Sequence, residues 1–204
     1  DRWIDQIRRS QVDAMVITGD LSEADDVAFQ LARICEAVDL PVYFVLGNHD
    51  FYGSSIPSTR RRVTACARDI EPLRYLTDCA PIEFRPGCFI TGEDGWGDAT
   101  EGDYEASPVR LTDFTAIKDF QRVDPISWPS IMREQGKESA ERLRNKLYAV
   151  AEGAMKILVA THVPPFRESC WCVGGTTDDY WAPFFVCGRV GKVLQRFALV
   201  HPLS

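Results

Sequence analysis

Nothing in this 204-residue chain repeats, and no apolar run approaches the roughly 18 residues needed to cross a bilayer. A repeat array and a membrane-spanning helix are therefore not expected. Basic residues are in deficit: 23 Lys and Arg face 30 Asp and Glu, for a formal net charge of −7. That balance gives no general electrostatic grip on nucleic acid, so nucleic acid is not an expected partner. The seven cysteines are an odd number, and none forms a C-x-x-C pair. They are too sparse for a disulfide scaffold and lack the spacing of a zinc knuckle, so they read as buried reduced thiols of a cytoplasmic protein. Asp1 rather than Met opens the chain, and an apolar stretch runs almost to Ser204, so both ends read as cut. What remains, 45% hydrophobic and 26% charged, is the composition of an ordinary globular domain, and residues 1–204 read as one.

Helix and strand signals alternate along the first half. Trp3, Ile4 and Ile7 lie at helical spacing, and Ala14 to Ile17 is a short continuous apolar run of the kind a sheet buries on both faces. Val27, Leu31, Ile34 and Val38 recur at three and four within a helix spanning 24–38. Pro41 ends that pattern, and Val42 to Leu46 is a second strand. Ser58 is the expected N-cap of a helix running towards Ile70, on which Arg60, Arg61 and Arg62 form a solvated basic face. Two strand-like pieces follow at 82–84 and 88–90, then a glycine- and acid-rich loop from Gly92 to Pro108. A loop of that length is usually functional or mobile. A long charged helix over 130–154, a strand over 156–160 and a helix over 189–199 complete an α/β pattern.

Three of the strands end alike. The first runs into Thr18-Gly19-Asp20, the second into Gly47-Asn48-His49-Asp50, and the strand at 156–160 into Thr161-His162. Sites in α/β proteins form at the carboxyl ends of strands. If these strands are parallel neighbours, carboxylates, an amide and two imidazoles converge. Such oxygen and nitrogen donors without thiolate suit Mn²⁺, Fe²⁺ or Zn²⁺. Each piece alone has a plainer reading, since Gly-Asp and Gly-Asn are ordinary turn pairs.

Together the three blocks resemble the middle signature of the calcineurin-like metallophosphoesterases, over roughly residues 14–165, with Gly47-Asn48-His49-Asp50 the most specific part. The resemblance implies two facing mixed β-sheets flanked by helices, a four-layer α/β/β/α sandwich, and hydrolysis of a phosphomonoester or phosphodiester with two divalent metal ions. It implies that Asp20 bridges the metals and that Asn48 and His162 bind the second of them. It also implies that His49 protonates the leaving group and that Asp50 is hydrogen-bonded to His49, holding its orientation. The family's opening Asp-x-His and closing Gly-His-x-His blocks are not in the chain, and Glu23 stands where a further aspartate is common. Those blocks are expected beyond Asp1 and Ser204. The ligands that remain are too few for a tight dinuclear centre, so weak metal binding and slow turnover are expected of these residues alone.

Substrate features are fewer. Trp96, held between Asp94 and Asp98 in the acidic loop, either stacks on a base or sugar or pins the loop by burial. Asp94 and Arg167 are further candidates for substrate contact, and the aromatic segment from Trp171 to Phe185 either walls the site, packs as core or forms an oligomer contact. The expected substrate is a small phosphorylated molecule or nucleotide. A nuclease or cyclic-nucleotide phosphodiesterase on the same scaffold, and a metal-free binding module, are the alternatives.

Overall fold

The computed structural model describes residues 2–172 and 174–201. The helix α1 (Arg2–Arg9) leads into strand β1 (Met15–Thr18), helix α2 (Val27–Val38) and strand β2 (Val42–Val45). A single 3₁₀ turn at His49–Phe51 precedes helix α3 (Ile56–Asp69) and strand β3 (Leu73–Tyr75). These three strands form a parallel sheet in the order β1-β2-β3. Strands β4 (Ile82–Arg85) and β5 (Cys88–Glu93) pair antiparallel. The short helices α4 (Asp113–Ala116) and α5 (Lys118–Gln121) and the long α6 (Trp128–Val150) then lead to β6 (Lys156–Thr161), which pairs parallel with β5. A small hairpin, β7 (Trp171–Cys172) with β8 (Gly175–Thr176), precedes α7 (Ala182–Phe185) and α8 (Gly188–Val200).

The two three-stranded sheets, one parallel and one mixed, face each other and are flanked by helices as an α/β sandwich. Val45 and Leu76 from one side meet Ile90 and Ala160 from the other. The outer face of the parallel sheet buries Val42 and Phe44 against Val27 and Leu31 of α2 and Val63 of α3. Leu143 and Leu147 of α6 pack with Val190 and Phe197 of α8 against Ile157 and Val159 of β6. Each strand run read from the sequence is thus a strand, though β4 is largely exposed. No described helix is long and apolar enough to cross a membrane.

Four local features differ from the sequence reading. The strand β3 is only three residues long, too short for its alternation to register. The N-cap of α3 is Ser55, whose hydroxyl accepts from the Ser58 N–H at 3.4 Å, not Ser58 itself. Pro57 fits the first turn there because its missing N–H would have had no helical partner. Arg60 is not part of a solvated face: its Nε donates to the buried Asp94 carboxylate at 3.0 Å. The first part of the acidic loop is packed inside, with Gly92 to Asp98 all buried, while Gly102, Asp103, Glu105 and Ala106 are exposed.

That loop is held by two adjacent buried acids at the end of β5. Glu93 meets Arg142 Nε at 2.9 Å and Lys146 Nζ at 2.8 Å, both from α6. Asp94 accepts from Tyr75 Oη at 2.6 Å, Thr77 Oγ1 at 2.8 Å, the Leu46 N–H at 2.8 Å and Arg60. Buried carboxylates are tolerated only when paired and hydrogen-bonded, and both of these are. The result ties the inner strands to α3 and α6 at the level where the three signature loops emerge.

Candidate metal centre

Asp20, Asn48, His49 and His162 sit together at the carboxyl ends of β1, β2 and β6 and line one cleft. The convergence does not come from three neighbouring strands. β1 and β2 share a sheet, whereas β6 belongs to the facing one, so the loops meet across the sandwich.

Close approach of those loops depends on two glycines. Gly19 has φ +94°, and a Cβ there would fall 2.4 Å from the Gly47 nitrogen and 2.8 Å from His162 Nδ1. A Cβ on Gly47 would fall 2.1 Å from Asp20 Oδ1. Asp20 itself adopts φ 57°, a left-handed conformation that aspartate tolerates better than most residues. The spacing of Gly-Asp and Gly-Asn after two strands is thus a packing requirement as well as turn chemistry.

The donor atoms have defined directions. His162 Nδ1 lies 2.8 Å from the Thr18 carbonyl, which can only accept, so Nδ1 carries the hydrogen and the neutral ring presents a lone pair at Nε2. The Asn48 Nδ2 group donates to Asp113 Oδ1 at 2.8 Å, which turns its Oδ1 towards His162. His162 Nε2 is 3.1 Å from that Oδ1 and 3.6 Å from Asp20 Oδ1. Three lone-pair atoms therefore face one another with no hydrogen between them in the neutral state. Such an arrangement suits a cation: ligands about 2.1 Å from a metal at right angles lie roughly 3 Å apart. The three atoms fit one divalent ion. Among the described residues no group of three or more His, Cys, Asp or Glu is placed to hold a metal, and the third donor atom here belongs to the Asn48 amide.

His49 is exposed on its 3₁₀ turn, its backbone N–H donating to Asp20 Oδ1 at 3.1 Å and its ring stacked on Tyr52 at 4.6 Å between centroids. Asp50 does not hold it. The Asp50 side chain is fully buried, and its oxygens accept from four backbone N–H groups: Asp20 at 3.0 Å, Leu21 at 2.9 Å, Ser22 at 3.0 Å and Gly47 at 2.8 Å. Burial pushes the Asp50 carboxyl above the usual range; the N–H groups of Ser22, Gly47 and Leu21 oppose that, and the Asp20 charge adds to it. Asp50 is a latch between two signature loops, because a carboxylate one residue after His49 points into the turn and not along the imidazole.

Two of the three substrate candidates lie elsewhere. Asp94 is fully buried behind the cleft in the network described above. Arg167 is outside the cleft, with its Nε on the Thr177 carbonyl at 2.9 Å and its Nη1 on Asp179 at 2.6 Å. Trp96 does line the cleft, yet only 5% of it is exposed, with its ring between Phe51 and Phe120. It pins the loop by burial. Of the downstream aromatics, Phe184 and Phe185 line the cleft, whereas Trp171 is exposed away from it.

Sequence reading missed Asp113 and Tyr52. Asp113, only 5% exposed, accepts from both Asn48 Nδ2 and Tyr52 Oη, the latter at 2.7 Å. Burial and the Asp113 carboxylate push the Tyr52 phenol well up, so it remains a donor. The pair therefore orients the amide of Asn48 and backs the ring of His49. Asp113 lies 65 residues beyond Asn48, and nothing in its local pattern separates it from other loop acids. In the Asp113→Ala variant, Mn²⁺ affinity measured by calorimetry is expected to fall about 10- to 100-fold. Asp113→Asn, which retains an accepting oxygen, is expected to recover most of that loss.

The calcineurin-like phosphoesterase family model matches residues 1–188, and the chain belongs to that family. Its fold is that of a metal-dependent hydrolase of phosphate esters, a class that typically uses two metal ions. No curated protein and no solved structure matches the chain.

Proposed function

We propose that this protein hydrolyses a small phosphate ester at a dinuclear metal centre, with Asp20, Asn48 and His162 as metal ligands from this chain and Asp20 bridging. The observation that carries the reading is the convergence of three lone-pair atoms, Asp20 Oδ1, Asn48 Oδ1 and His162 Nε2, with the histidine tautomer set by the Thr18 carbonyl. Bound divalent ions such as Mn²⁺, Fe²⁺ or Zn²⁺ supply Lewis acidity, lowering the pKa of water and offsetting charge on the phosphoryl group. His49, exposed beside these donors, protonates the departing oxygen. Tyr52 supports its ring, and Asp113 holds Asn48 in the binding orientation.

The test compares hydrolysis of an aryl phosphomonoester and an aryl phosphodiester by protein from the complete reading frame supplied with Mn²⁺, each with and without EDTA. Turnover that EDTA abolishes, and that Asn48→Ala lowers by a factor on the order of 10² or more, is the expected result. The preferred ester then separates monoesterase from diesterase. A folded protein that retains no metal and turns over neither ester would overturn the reading in favour of a binding module.

A further inference from the structure

The cleft beside the proposed metal donors has a volume of about 380 Å³ and a mixed lining. Asp20, Asn48, His49 and His162 are its polar donors, and Leu111, Val163 and Phe185 give it apolar surface, with the core residues Phe114, Met132 and Phe184 behind at 1–5% exposure. Among the described residues, no lysine or arginine lines it. Arg60, close behind, is committed to Asp94, and Arg144, Lys192 and Arg196 gather in a separate groove between α6 and α8. A second phosphate on a substrate would therefore meet no cation from the walls, and the Asp113 carboxylate lies there as well. The aromatic face open to the cleft is that of Phe185, 42% exposed and set 5.8 Å from the Trp181 ring, with the packed Phe114 and Phe184 behind it. Rigid aromatic walls favour flat apolar groups and take little ordering entropy to bind them.

We infer that the substrate is an ester carrying one phosphoryl group on an uncharged aromatic ring system, which lies against Phe185 while the phosphoryl group faces the metal donors. This inference rests on the phosphoesterase reading above. The ring can belong to an aryl alcohol or to a nucleoside, since both present an uncharged aromatic face. Polyphosphates and multiply phosphorylated sugars are disfavoured by the absence of wall cations.

The test holds intrinsic reactivity nearly constant by comparing alkoxide leaving groups. Hydrolysis of (2-naphthyl)methyl phosphate is measured against glycerol phosphate, adenosine monophosphate against ribose 5-phosphate, and adenosine monophosphate against adenosine 3′,5′-bisphosphate, with Mn²⁺ throughout. The ring-bearing monophosphoryl esters are expected to exceed their comparators in kcat/KM by about tenfold or more. The relative size of the two ring effects assigns the ring to an aryl alcohol or a nucleoside. Phe185→Ala, at a position 42% exposed, is expected to raise KM for the naphthyl ester several-fold and to leave that for glycerol phosphate unchanged. Calorimetric titration of (2-naphthyl)methanol and of adenosine into protein in EDTA reads the wall without the metal, and binding of either that Phe185→Ala weakens is expected. Equal or better turnover of the bisphosphate, of ribose 5-phosphate or of glycerol phosphate would overturn the inference while the phosphoesterase reading stands. If no ester is hydrolysed, the phosphoesterase reading falls, and the titrations alone decide whether the wall binds aromatic rings: no heat from either would overturn it.

Discussion

Replacing Asp50 by alanine is expected to destabilise the protein by about 3–5 kcal/mol, read as a lower urea midpoint at unchanged slope. The carboxylate accepts from four backbone N–H groups on two loops, at 2.8–3.0 Å, with no exposure to water. Each buried donor left without an acceptor costs about 1–3 kcal/mol, reduced where the loops relax to admit water. In Asp50→Asn one oxygen still accepts, but an NH₂ group then faces N–H groups, so an intermediate loss of about 1–3 kcal/mol is expected. The alternative role, orienting His49, makes the opposite prediction. If Asp50 acted through the imidazole, Asp50→Asn would leave the urea midpoint alone and move the pH profile of turnover.

Gly47→Ala is the second large effect. The new Cβ would fall 2.1 Å from Asp20 Oδ1, 2.6 Å from the Asp20 nitrogen and 2.6 Å from His162 Cε1, so two of the three metal donors must move. Overpacking of this kind costs about 1–3 kcal/mol of stability. Displacing the reacting groups by about 1 Å lowers turnover by a factor on the order of 10², so activity is expected to fall much further than stability. Gly153→Ala provides the control. A Cβ at Gly153 meets nothing within 4 Å, and neither stability nor activity is expected to change appreciably.

The α/β alternation was legible because its strands carry continuous apolar runs and its helices carry regular apolar faces, while the facing of two sheets came only with the family resemblance; Val42 to Val45 and Val27 to Val38 are both nearly as read. That Asp20, Asn48 and His162 would share one cleft was legible for a related reason, since each follows closely on a strand end. What escaped depends on contacts distant in the chain. Asp113 becomes meaningful only when folded against Asn48, and Arg60 only against Asp94. Asp50 shows the limit of adjacency, for being next to His49 in sequence sends its carboxylate to the opposite side of the turn. Trp96 reads as cleft or core from its neighbours alone, and the fold makes it a little of the first and mostly the second.

The paired acids at the end of β5 also divide the cleft by how freely it can change. Its floor, from Gly95 to Gly97, hangs from Asp94, and Asp94 is bound to Arg60 of α3, Tyr75 of β3 and the backbone of Leu46. A substitution in that floor is felt by three elements at once, and most such changes would be purged before any new preference could be selected. Leu111 and Phe185, on the rim, carry no such obligations and are only partly buried or exposed. Divergence of substrate preference among descendants of this chain is therefore expected to be written at those rim positions, with the floor and its buried acids inherited unchanged.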